Sequence, residues 1–301
     1  MELYLSSNLD LSIIIVNYNN PNLIDSCIQS IDKYLYDINK EILIVDNNSE
    51  IECLSRYRAS STVIKTIYLP VNMGFGYANN VGAINASGDV FLLLNSDIEF
   101  LDNTFKEMLS QFKALNFSEI WAPRLVWPDG NFQNSYSKDI SLLSFILNYT
   151  SIGIFFRCTR LFNEHKYCNE ELTQLAEVDV MYATAWLIRK IDYEKLGGFS
   201  NRYFMYFEDV DFCDRLRKKL SGKIRYYPGV TLLHRAQGSS LGRRTNFQYF
   251  KSKYIYALYK YGFLIILIAP IDIFFQLIYK DVIAMKSCLI TFFHKIYSRN
   301  E

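Results

Sequence analysis

The stretch VFLLLNSDIEF, residues 90–100, decides the fold. Five consecutive apolar residues, Val90 to Leu94, are followed at once by Asn95-Ser96-Asp97. An apolar run without polar alternation predicts a strand that is buried on both faces, as in a parallel sheet. Ligands of such sheets bind beyond the carboxyl ends of the strands, where an Asp offers hard oxygens to a divalent cation and the cation can hold phosphates. The same three polar residues are also compatible with a plain turn that leaves the sheet.

Similar apolar runs alternate with helical patterns through the first hundred residues. Strands are predicted at 11–16, 41–45 and 64–69, with helices between them and a last helix over 74–86. This alternation predicts an α/β fold with a mostly parallel central sheet, right-handed crossovers and flanking helices. Because most of these strands end in Asn or Asp, we expect those side chains to converge at one edge of the sheet.

The turn after the first strand excludes the common nucleotide-binding loops. It has the sequence NYNNPN, residues 17–22, and contains no glycine, whereas a dinucleotide-binding turn requires G-x-G-x-x-G. The Walker pattern G-x-x-x-x-G-K-[ST] is also missing from the sequence. A nucleotide would therefore have to be held by side chains and a metal ion.

The composition describes a chain with an uneven charge distribution. The 301 residues are 50% hydrophobic and 16% aromatic, and the formal net charge is +1, which gives no reason to expect a nucleic-acid partner. From residue 243 to the end there are nine Lys or Arg and three acidic residues, so this tail is strongly basic. The six cysteines are scattered, and the first ten residues lack the pattern of a signal peptide. We therefore expect reduced thiols and a cytoplasmic location.

Four acids crowd into one short segment after a run of aromatic residues. Glu208, Asp209, Asp211 and Asp214 follow the sequence YFMYF of residues 203–207. Acids favour the first turn of a helix, which accounts for one or two of them. A carboxylate beside apolar rings is partly desolvated, which raises its pKa and suits a general base. Helix capping and catalysis are therefore the two interpretations of this cluster.

Six segments of the chain form a recognisable series. In order, they are SIIIVNYNN (12–20), EILIVDNNS (41–49), NMGFGYANNVGAINASGDVFLLLNSD (72–97), LGGF (196–199), FMYFEDVDFCDRL (204–216) and LHRAQGSS (233–240). Together they resemble the family 2 inverting glycosyltransferases of the GT-A fold, in particular the bacterial rhamnosyltransferases of O-antigen and capsule assembly. The resemblance extends from about Leu11 to Ser240.

The resemblance implies a role for individual residues. The D-x-D pattern falls on residues 95–97, so Asp97 would ligate Mg²⁺ or Mn²⁺, and His234 would meet the metal or the diphosphate. Asp209 would be the catalytic base that deprotonates the acceptor hydroxyl. Glu208 and Trp186 would contact the acceptor, although Trp186 is equally compatible with a core position. The residues expected to bind the nucleotide sugar are Asn17, Tyr18, Asp46, Asn80 and Asn95.

The predicted organisation has a catalytic domain and a tail. Residues 1–240 form the GT-A domain, with a donor half (1–100) and an acceptor half (101–240), and residues 241–301 form a helical tail. The sequence GFLIILIAPIDIFFQLIYK, residues 262–280, is strongly apolar and has basic neighbours. It favours a helix on the inner face of the cell membrane. A membrane-spanning helix and a helix packed against the domain or a second subunit, as in a homodimer, are the alternatives.

The predicted activity is transfer of a sugar from dTDP-rhamnose or a UDP-hexose to a lipid-linked oligosaccharide acceptor. Two other functions are compatible with a related sheet: a sugar-phosphate nucleotidyltransferase and a non-catalytic sugar-binding protein. The glycine-free turn disfavours the first, and the presence of both Asp97 and Asp209 disfavours the second.

Overall fold

The computed structural model describes residues 9–50, 63–156, 171–235 and 243–278. Helices flank a mixed central sheet. The strands are β1 (Leu11–Asn17), β2 (Lys40–Asp46), β3 (Val63–Tyr68), β4 (Val90–Asn95), β5 (Ile98–Phe100), β6 (Glu119–Val126), β7 (Phe132–Gln133), β8 (Tyr136–Ser137), β9 (Ala176–Glu177), β10 (Val180–Met181), β11 (Ala185–Arg189) and β12 (Lys223–His234). The helices are α1 (Pro21–Tyr34), α2 (Phe75–Ile84), α3 (Phe105–Lys113), α4 (Leu142–Tyr149), α5 (Lys190–Lys195), α6 (Glu208–Leu220), α7 (Arg243–Tyr261) and α8 (Leu264–Ile278), and a 3-10 helix covers Ser151–Phe156.

The first half of the sheet has the predicted parallel topology. The strand order is β3-β2-β1-β4-β11-β6-β12-β5, and β3, β2, β1 and β4 are mutually parallel. The predicted strands and the helix α2 are confirmed to within two residues. The helix predicted between β2 and β3 falls on residues 51–62, outside the described residues.

The strand β4 is buried on both faces, as its apolar run predicts. Successive side chains of a strand point to opposite faces, and here Leu93 packs into the core on the α2 side while Leu92 and Leu94 pack into the core beneath α1 and α3. Every residue from Val90 to Leu94 is buried. A sheet sandwiched in this way leaves its strand ends as the place where polar side chains reach a ligand.

Antiparallel strands enter the second half of the sheet. The strand β11 runs antiparallel to both β4 and β6, while β12 runs parallel to β6 and antiparallel to β5. The strand β12 is long, because it continues past an irregularity between Tyr227 and Thr231 to His234. His234 therefore ends a strand rather than lying in the loop that follows.

The tail helices α7 and α8 pack into the main core. Tyr254, Tyr256 and Ala257 of α7 and Ile265 and Ala269 of α8 are buried in the same cluster as residues of β4, β11 and α6. The boundary predicted at residue 240 therefore does not coincide with a boundary of the hydrophobic core. Within the described ranges, no helix combines the length and the apolar character needed to cross a bilayer.

The acid within the apolar tail segment faces inward. Asp272 is fully buried, where it accepts a hydrogen bond from the Ser151 backbone N–H at 2.6 Å and contacts the Tyr254 hydroxyl. The ammonium group of Lys253 lies 3.9 Å from the same carboxylate. These partners compensate the cost of burying the charge. Asp272, which interrupts the apolar segment in the sequence, is therefore absent from the outward face of α8.

Candidate active site

The ends of β1 and β2 are joined by their own polar side chains. The Asn17 amide donates a hydrogen bond to Asp46 Oδ2 at 2.9 Å, and the Ser49 backbone N–H donates to Asp46 Oδ1 at 2.7 Å. Asp46 is 1% exposed, whereas the neighbouring Tyr18 is 44% exposed. The structure therefore brings together Asn17, Tyr18 and Asp46, the residues expected to hold the nucleoside.

A second amide ties the loop before α2 to the same edge. Asn47 is buried; its side chain donates to Asn72 Oδ1 at 2.9 Å and accepts from the Met73 N–H at 2.8 Å. The next residue, Gly74, has φ of +89°, and a Cβ atom there would lie 2.0 Å from the Phe204 carbonyl oxygen. This close approach needs glycine, and it places the start of α2 against the segment that precedes the acidic cluster.

Asn95 closes β4 with an unused acceptor. Among the described residues, its buried side-chain oxygen Oδ1 has no hydrogen-bond partner. Its backbone N–H donates to the Thr184 carbonyl at 2.9 Å, just before β11 begins. A buried acceptor without a partner costs free energy, so this oxygen is suited to a donor group on a bound ligand.

Asp97 and His234 form a close pair, as the resemblance implies. Both are largely buried, and His234 Nε2 lies 3.3 Å from Asp97 Oδ1. The other ring nitrogen, Nδ1, lies 2.7 Å from Gln133 Oε1, and the ring stacks on Trp127 with centroids 6.1 Å apart. With Gln133 Oε1 as the acceptor of this contact, Nδ1 is the donor, and Nε2 is the ring nitrogen that faces the Asp97 carboxylate.

A carboxylate oxygen and an imidazole nitrogen that face each other are suited to hold a divalent cation. A histidine that ligates a metal usually donates its other N–H to an oxygen acceptor, as His234 does to Gln133. In the described part of the chain, no group of three or more His, Cys, Asp or Glu could hold a metal ion. Magnesium is typically bound by one or two protein carboxylates together with the phosphates of a substrate. The pair therefore fits a divalent cation that a bound diphosphate helps to coordinate.

The four acids of the acidic cluster fall into two kinds. Asp211 accepts from Arg215 at 2.7 Å, and Asp214 accepts from Arg217 at 2.7 Å. In the described ranges, Glu208 and Asp209 have no Lys or Arg within ion-pair distance, unlike Asp211 and Asp214. Asp211 and Asp214 therefore have a structural role in α6, whereas Glu208 and Asp209 are available for a catalytic role.

Asp209 has the character of a base that works near neutral pH. Its Oδ1 accepts from the Val210 N–H at 2.8 Å and its Oδ2 from the Ala183 N–H at 3.3 Å. Burial raises the pKa of Asp209 to about 6, although these two hydrogen bonds act in the opposite direction. Burial also raises the pKa of Glu208 well above its usual value, and the adjacent Asp209 adds to that effect.

A short path of hydrogen bonds connects Asp209 to the end of β4. Ala183, which donates to Asp209, is followed by Thr184, whose carbonyl accepts from the Asn95 N–H. Asn95 is two residues from Asp97. The base and the Asp97–His234 pair therefore lie at the same end of the sheet.

Strained backbone positions the acidic cluster. Tyr206 and Phe207, directly before α6, both adopt left-handed conformations, with φ of 68° and 65°. Bulky residues rarely adopt this geometry, which costs of order 1–3 kcal/mol for each residue. Strain of this kind persists where the surrounding structure compensates it, and it occurs most often at functional sites.

The structure gives Asn80 a different role from the one expected. Its side-chain amide donates to the Phe199 carbonyl at 2.8 Å, while its Oδ1 accepts from the Phe199 N–H at 2.8 Å and from the Tyr193 hydroxyl at 2.7 Å. Gly198, at φ of +67°, has no room for a Cβ atom beside this amide. Asn80 holds the LGGF turn, so its hydrogen-bonding groups are used within the protein rather than presented to a nucleotide sugar.

The two residues expected to contact the acceptor are both buried. Trp186 is 0% exposed; its indole N–H donates to the Tyr182 carbonyl at 2.9 Å, and its ring packs against Phe199 and Phe212. The core interpretation of Trp186 is therefore correct. Glu208 is 5% exposed, which argues against direct contact with an acceptor, and its Oε2 has no partner among the described residues.

Several residues at the site have no signal in the sequence motifs. Gln133 and Trp127 orient His234, yet they lie on a hairpin that resembles none of the family segments. Tyrosines from separate segments also gather near Asp209. The unusual number of tyrosines, 23 in the whole chain, is the available hint.

Known proteins resemble this chain in sequence and in fold. In Haloferax volcanii, the low-salt glycan biosynthesis hexosyltransferase Agl10 is 28% identical over 214 residues, covering 70% of this chain and 62% of that protein. Rhamnosyltransferase WbbL of Escherichia coli K12 is 26% identical over 239 residues, covering 74% of this chain and 83% of that protein. The chain thus spans about three fifths of the archaeal relative.

Solved structures share the fold at low sequence identity. The crystal structure of GalNAc-T7 with UDP, GalNAc and Mn²⁺ matches with a TM-score of 0.56 and 16% identity, covering 82% of this chain and 48% of that one. The structure of S. aureus TarS 1-349 with UDP matches with a TM-score of 0.52 and 16% identity, covering 82% and 65%. These matches confirm the GT-A fold.

The family model of glycosyl transferase family 2 matches residues 12–196, which is more than half of the chain. The matched range contains the β1–β2 edge, Asp97 and the LGGF turn, and it ends shortly before the acidic cluster. The protein belongs to glycosyl transferase family 2.

Proposed function

We propose that this glycosyltransferase is inverting and metal-dependent, and that it moves a sugar from a nucleotide-sugar donor to a lipid-linked saccharide acceptor. The observation that carries the proposal is the shared location of three features at one end of the sheet: the Asn17–Asp46 pair, the Asp97–His234 pair and the base Asp209. An inverting transfer needs all three, because the enzyme must hold a nucleotide, stabilise the leaving diphosphate and deprotonate a hydroxyl.

The proposed reaction is a single displacement at the anomeric carbon. Asp209 accepts the proton of the acceptor hydroxyl while the oxygen of that hydroxyl forms a bond to the anomeric carbon. The bond from this carbon to the diphosphate oxygen breaks, and the nucleoside diphosphate leaves with the electron pair. Asp97 and His234 would hold a divalent cation, which supplies positive charge to the leaving diphosphate. Burial raises the pKa of Asp209 to about 6, which suits a general base.

The relatives support two classes of donor. WbbL and Agl10 are named as a rhamnosyltransferase and a hexosyltransferase, which favours dTDP-rhamnose or a UDP-hexose. A further relative over 58 residues, from Mycobacterium tuberculosis, is named N-acetylglucosaminyl-diphospho-decaprenol L-rhamnosyltransferase and is 45% identical there. Its name supports a lipid-linked acceptor for this chain. Surface polysaccharide synthesis, such as that of an O-antigen, would be the biological setting.

Nucleotide-sugar hydrolysis tests the proposal directly. The protein is incubated with dTDP-rhamnose, UDP-glucose, UDP-galactose or a UDP-N-acetylhexosamine, with Mn²⁺ or with EDTA, and release of the nucleoside diphosphate is measured. We expect one donor to be hydrolysed in the presence of Mn²⁺ and the rate to fall at least tenfold in EDTA. Equal rates with and without the metal would contradict the metal-dependent mechanism, and no turnover of any donor would contradict the proposed donor classes.

We also propose that the protein lies on the cytoplasmic face of the cell membrane through the outer face of α8. Four apolar side chains recur there at helical spacing, and the preceding Phe263 extends the row. They are between 49% and 70% exposed, and we call them the α8 stripe: Phe263, Leu264, Leu267, Ile271 and Phe274. An apolar stripe beside a basic tail is suited to an anionic lipid surface.

Vesicle binding tests the location. We expect the wild-type protein to sediment with vesicles of phosphatidylethanolamine and phosphatidylglycerol, and the double variant Leu267→Glu/Ile271→Glu to remain in the supernatant. Ile84→Glu is the matched control, because Ile84 is 82% exposed at the end of α2. A double variant that sediments like the wild type would contradict the proposal. Loss of a dimer in analytical ultracentrifugation, without any effect on vesicle binding, would assign the α8 stripe to a homodimer instead.

A further inference from the structure

Tyrosines from four separate segments gather beside the loop that carries Asp209, and the Asp209 carboxylate interacts electrostatically with two of them, Tyr149 and Tyr182. Tyr149 ends α4, Tyr182 lies between β10 and β11, Tyr206 precedes α6, and Tyr249 belongs to the tail helix α7. We call these four residues the tyrosine cluster. Tyr206 and Tyr249 contact each other edge to face, with ring centroids 5.6 Å apart.

Phe207 holds the tyrosine cluster together. Its ring lies 5.8 Å from the ring of Tyr149 and 5.6 Å from that of Tyr249, so one strained residue contacts both α4 and α7. Two further bonds attach α7 to the same place. The Ser252 hydroxyl donates to the Met205 carbonyl at 2.7 Å, and the Lys253 ammonium donates to the Tyr149 carbonyl at 2.5 Å. The position of Tyr249 is therefore fixed by the loop that carries the base.

The tyrosine cluster is close to Asp209 and remains accessible. Tyr182 directly precedes Ala183, whose N–H donates to the Asp209 carboxylate at 3.3 Å, and the Tyr182 side chain is 39% exposed. The other three tyrosines are half-buried. Burial raises the pKa of every hydroxyl in the cluster, so all four stay protonated at neutral pH and can donate hydrogen bonds.

We propose that the tyrosine cluster is the acceptor subsite and that it binds the terminal sugar of the acceptor beside Asp209. This inference rests on the proposed function. The C–H groups on one face of a pyranose form an apolar surface that packs on aromatic rings, while its hydroxyls need hydrogen-bond partners. Tyrosine supplies both at a low entropy cost, because its ring is rigid and its tip is polar. The bound sugar would present one hydroxyl to Asp209.

The proposal gives the tail helix a part in recognition. Tyr249 comes from α7, which lies outside the range matched by the family model. The residue that completes the acceptor subsite thus belongs to the segment of the chain that also carries the α8 stripe. It replaces Trp186, which the structure places in the core, as the aromatic contact for the acceptor.

Acceptor kinetics of Tyr249 variants test the inference. The acceptors are octyl glycosides of common hexoses and N-acetylglucosaminyl diphosphate on a short polyprenyl chain, and the donor is the nucleotide sugar that the wild type hydrolyses. We expect Tyr249→Ala to raise the acceptor KM at least tenfold, and Tyr249→Phe, which keeps the ring, to raise it less than threefold. The affinity for the donor in the absence of acceptor, measured by isothermal titration calorimetry, should be the same for both variants and the wild type.

Tyr259→Ala is the matched control, since Tyr259 lies on the same helix but stacks on the Arg202 guanidinium at 3.7 Å from the ring centroid. It should leave the acceptor KM unchanged. An unchanged acceptor KM in Tyr249→Ala would overturn the inference, and so would donor hydrolysis by the wild type without transfer to any of these acceptors. Failure of donor hydrolysis itself would instead contradict the proposed function.

Discussion

Asp46 and Asp209 are carboxylates at the same end of the sheet, and their surroundings differ in kind. Asp46 ends a regular strand and is held by the Asn17 amide and the Ser49 backbone. Asp209 follows two residues with left-handed backbone and stands beside the buried acid Glu208. At the proposed donor edge, neutral amides hold a carboxylate in a fixed place, whereas at the proposed base, burial raises the pKa of a carboxylate.

In the proposed mechanism, this difference gives one fold both a rigid ligand site and a proton acceptor. Hydrogen bonds to a carboxylate stabilise its charged form, and burial destabilises it. The first suits a group that binds, and the second suits a group that must take up and release a proton at neutral pH. Substitutions on the two sides should accordingly change different measured quantities.

The largest effect is expected at the base. Asp209→Asn keeps the shape of the side chain but removes the proton acceptor, so kcat for transfer should fall by about 10³-fold, within the range of general-base catalysis. Binding of the donor, measured by isothermal titration calorimetry, should change less than about twofold.

Asp211→Asn is the matched control, because this acid lies two residues further on and pairs with Arg215. We expect this variant to lose about 2 kcal/mol of folding free energy and to keep most of its kcat. Near-normal turnover in Asp209→Asn would show that the base has been wrongly assigned.

The next largest effect is expected on the donor side. Asp97→Ala removes one of the two proposed protein ligands of the cation, so the affinity for UDP or dTDP in the presence of Mn²⁺ should fall by about 10²-fold. In EDTA the variant and the wild type should bind these nucleotides equally. Glu99→Gln is the control, since Glu99 pairs with Arg235. An undiminished Mn²⁺ effect on binding to Asp97→Ala would place the cation elsewhere.

A substitution of Asn80 distinguishes a structural role of this side chain from a role in donor binding. Its amide makes three hydrogen bonds to the LGGF turn and Tyr193. Asn80→Ala leaves the buried partners unsatisfied and should lower the free energy of unfolding by about 2 kcal/mol. Urea titration measures this loss, and the donor affinity at low temperature should be unaffected. A weaker donor affinity at normal stability would restore the nucleotide-binding role that the sequence implies.

The smallest effect is a change of rate with pH. Because burial holds the pKa of Asp209 near 6, kcat/KM should fall about tenfold for each pH unit below that value. The free energy of unfolding depends on pH with the opposite sign. A carboxyl whose pKa is raised by folding stabilises the fold when it is protonated, and this contribution is lost as the pH rises through about 6. A profile that stays flat down to pH 4.5 would show that Asp209 titrates at its ordinary value.

Much of the donor half could be predicted from the sequence. The apolar runs before Asn17, Asp46 and Asn95 each fill a strand that is buried on both faces, and such a strand leaves few alternatives for its secondary structure or its polar end. The pairing of Asp97 with His234 was available from the resemblance alone, because the two residues are 137 positions apart and meet through the pairing of β5 with β12.

The acceptor half could not be predicted in the same way. The tyrosine cluster is assembled from segments with no common pattern, and its members meet through the packing of Phe207 rather than through a motif. Trp186 shows the reverse problem, since a large aromatic residue beside a predicted site looks the same in the sequence whether it faces the core or the ligand. Burial decides between these positions, and burial depends on the whole fold.

The core that α7 and α8 share with the rest of the fold determines how this protein can be shortened. Deleting residues after 242 would remove Tyr254, Tyr256 and Ile265 from the interior and leave Met205 and Tyr149 without their contacts to α7. If a shortened protein did not bind membranes or transfer sugar, the loss of its fold would already explain both results. The proposed membrane binding therefore has to be tested by substituting one or two surface side chains at a time, which leaves the hydrophobic core of the protein intact.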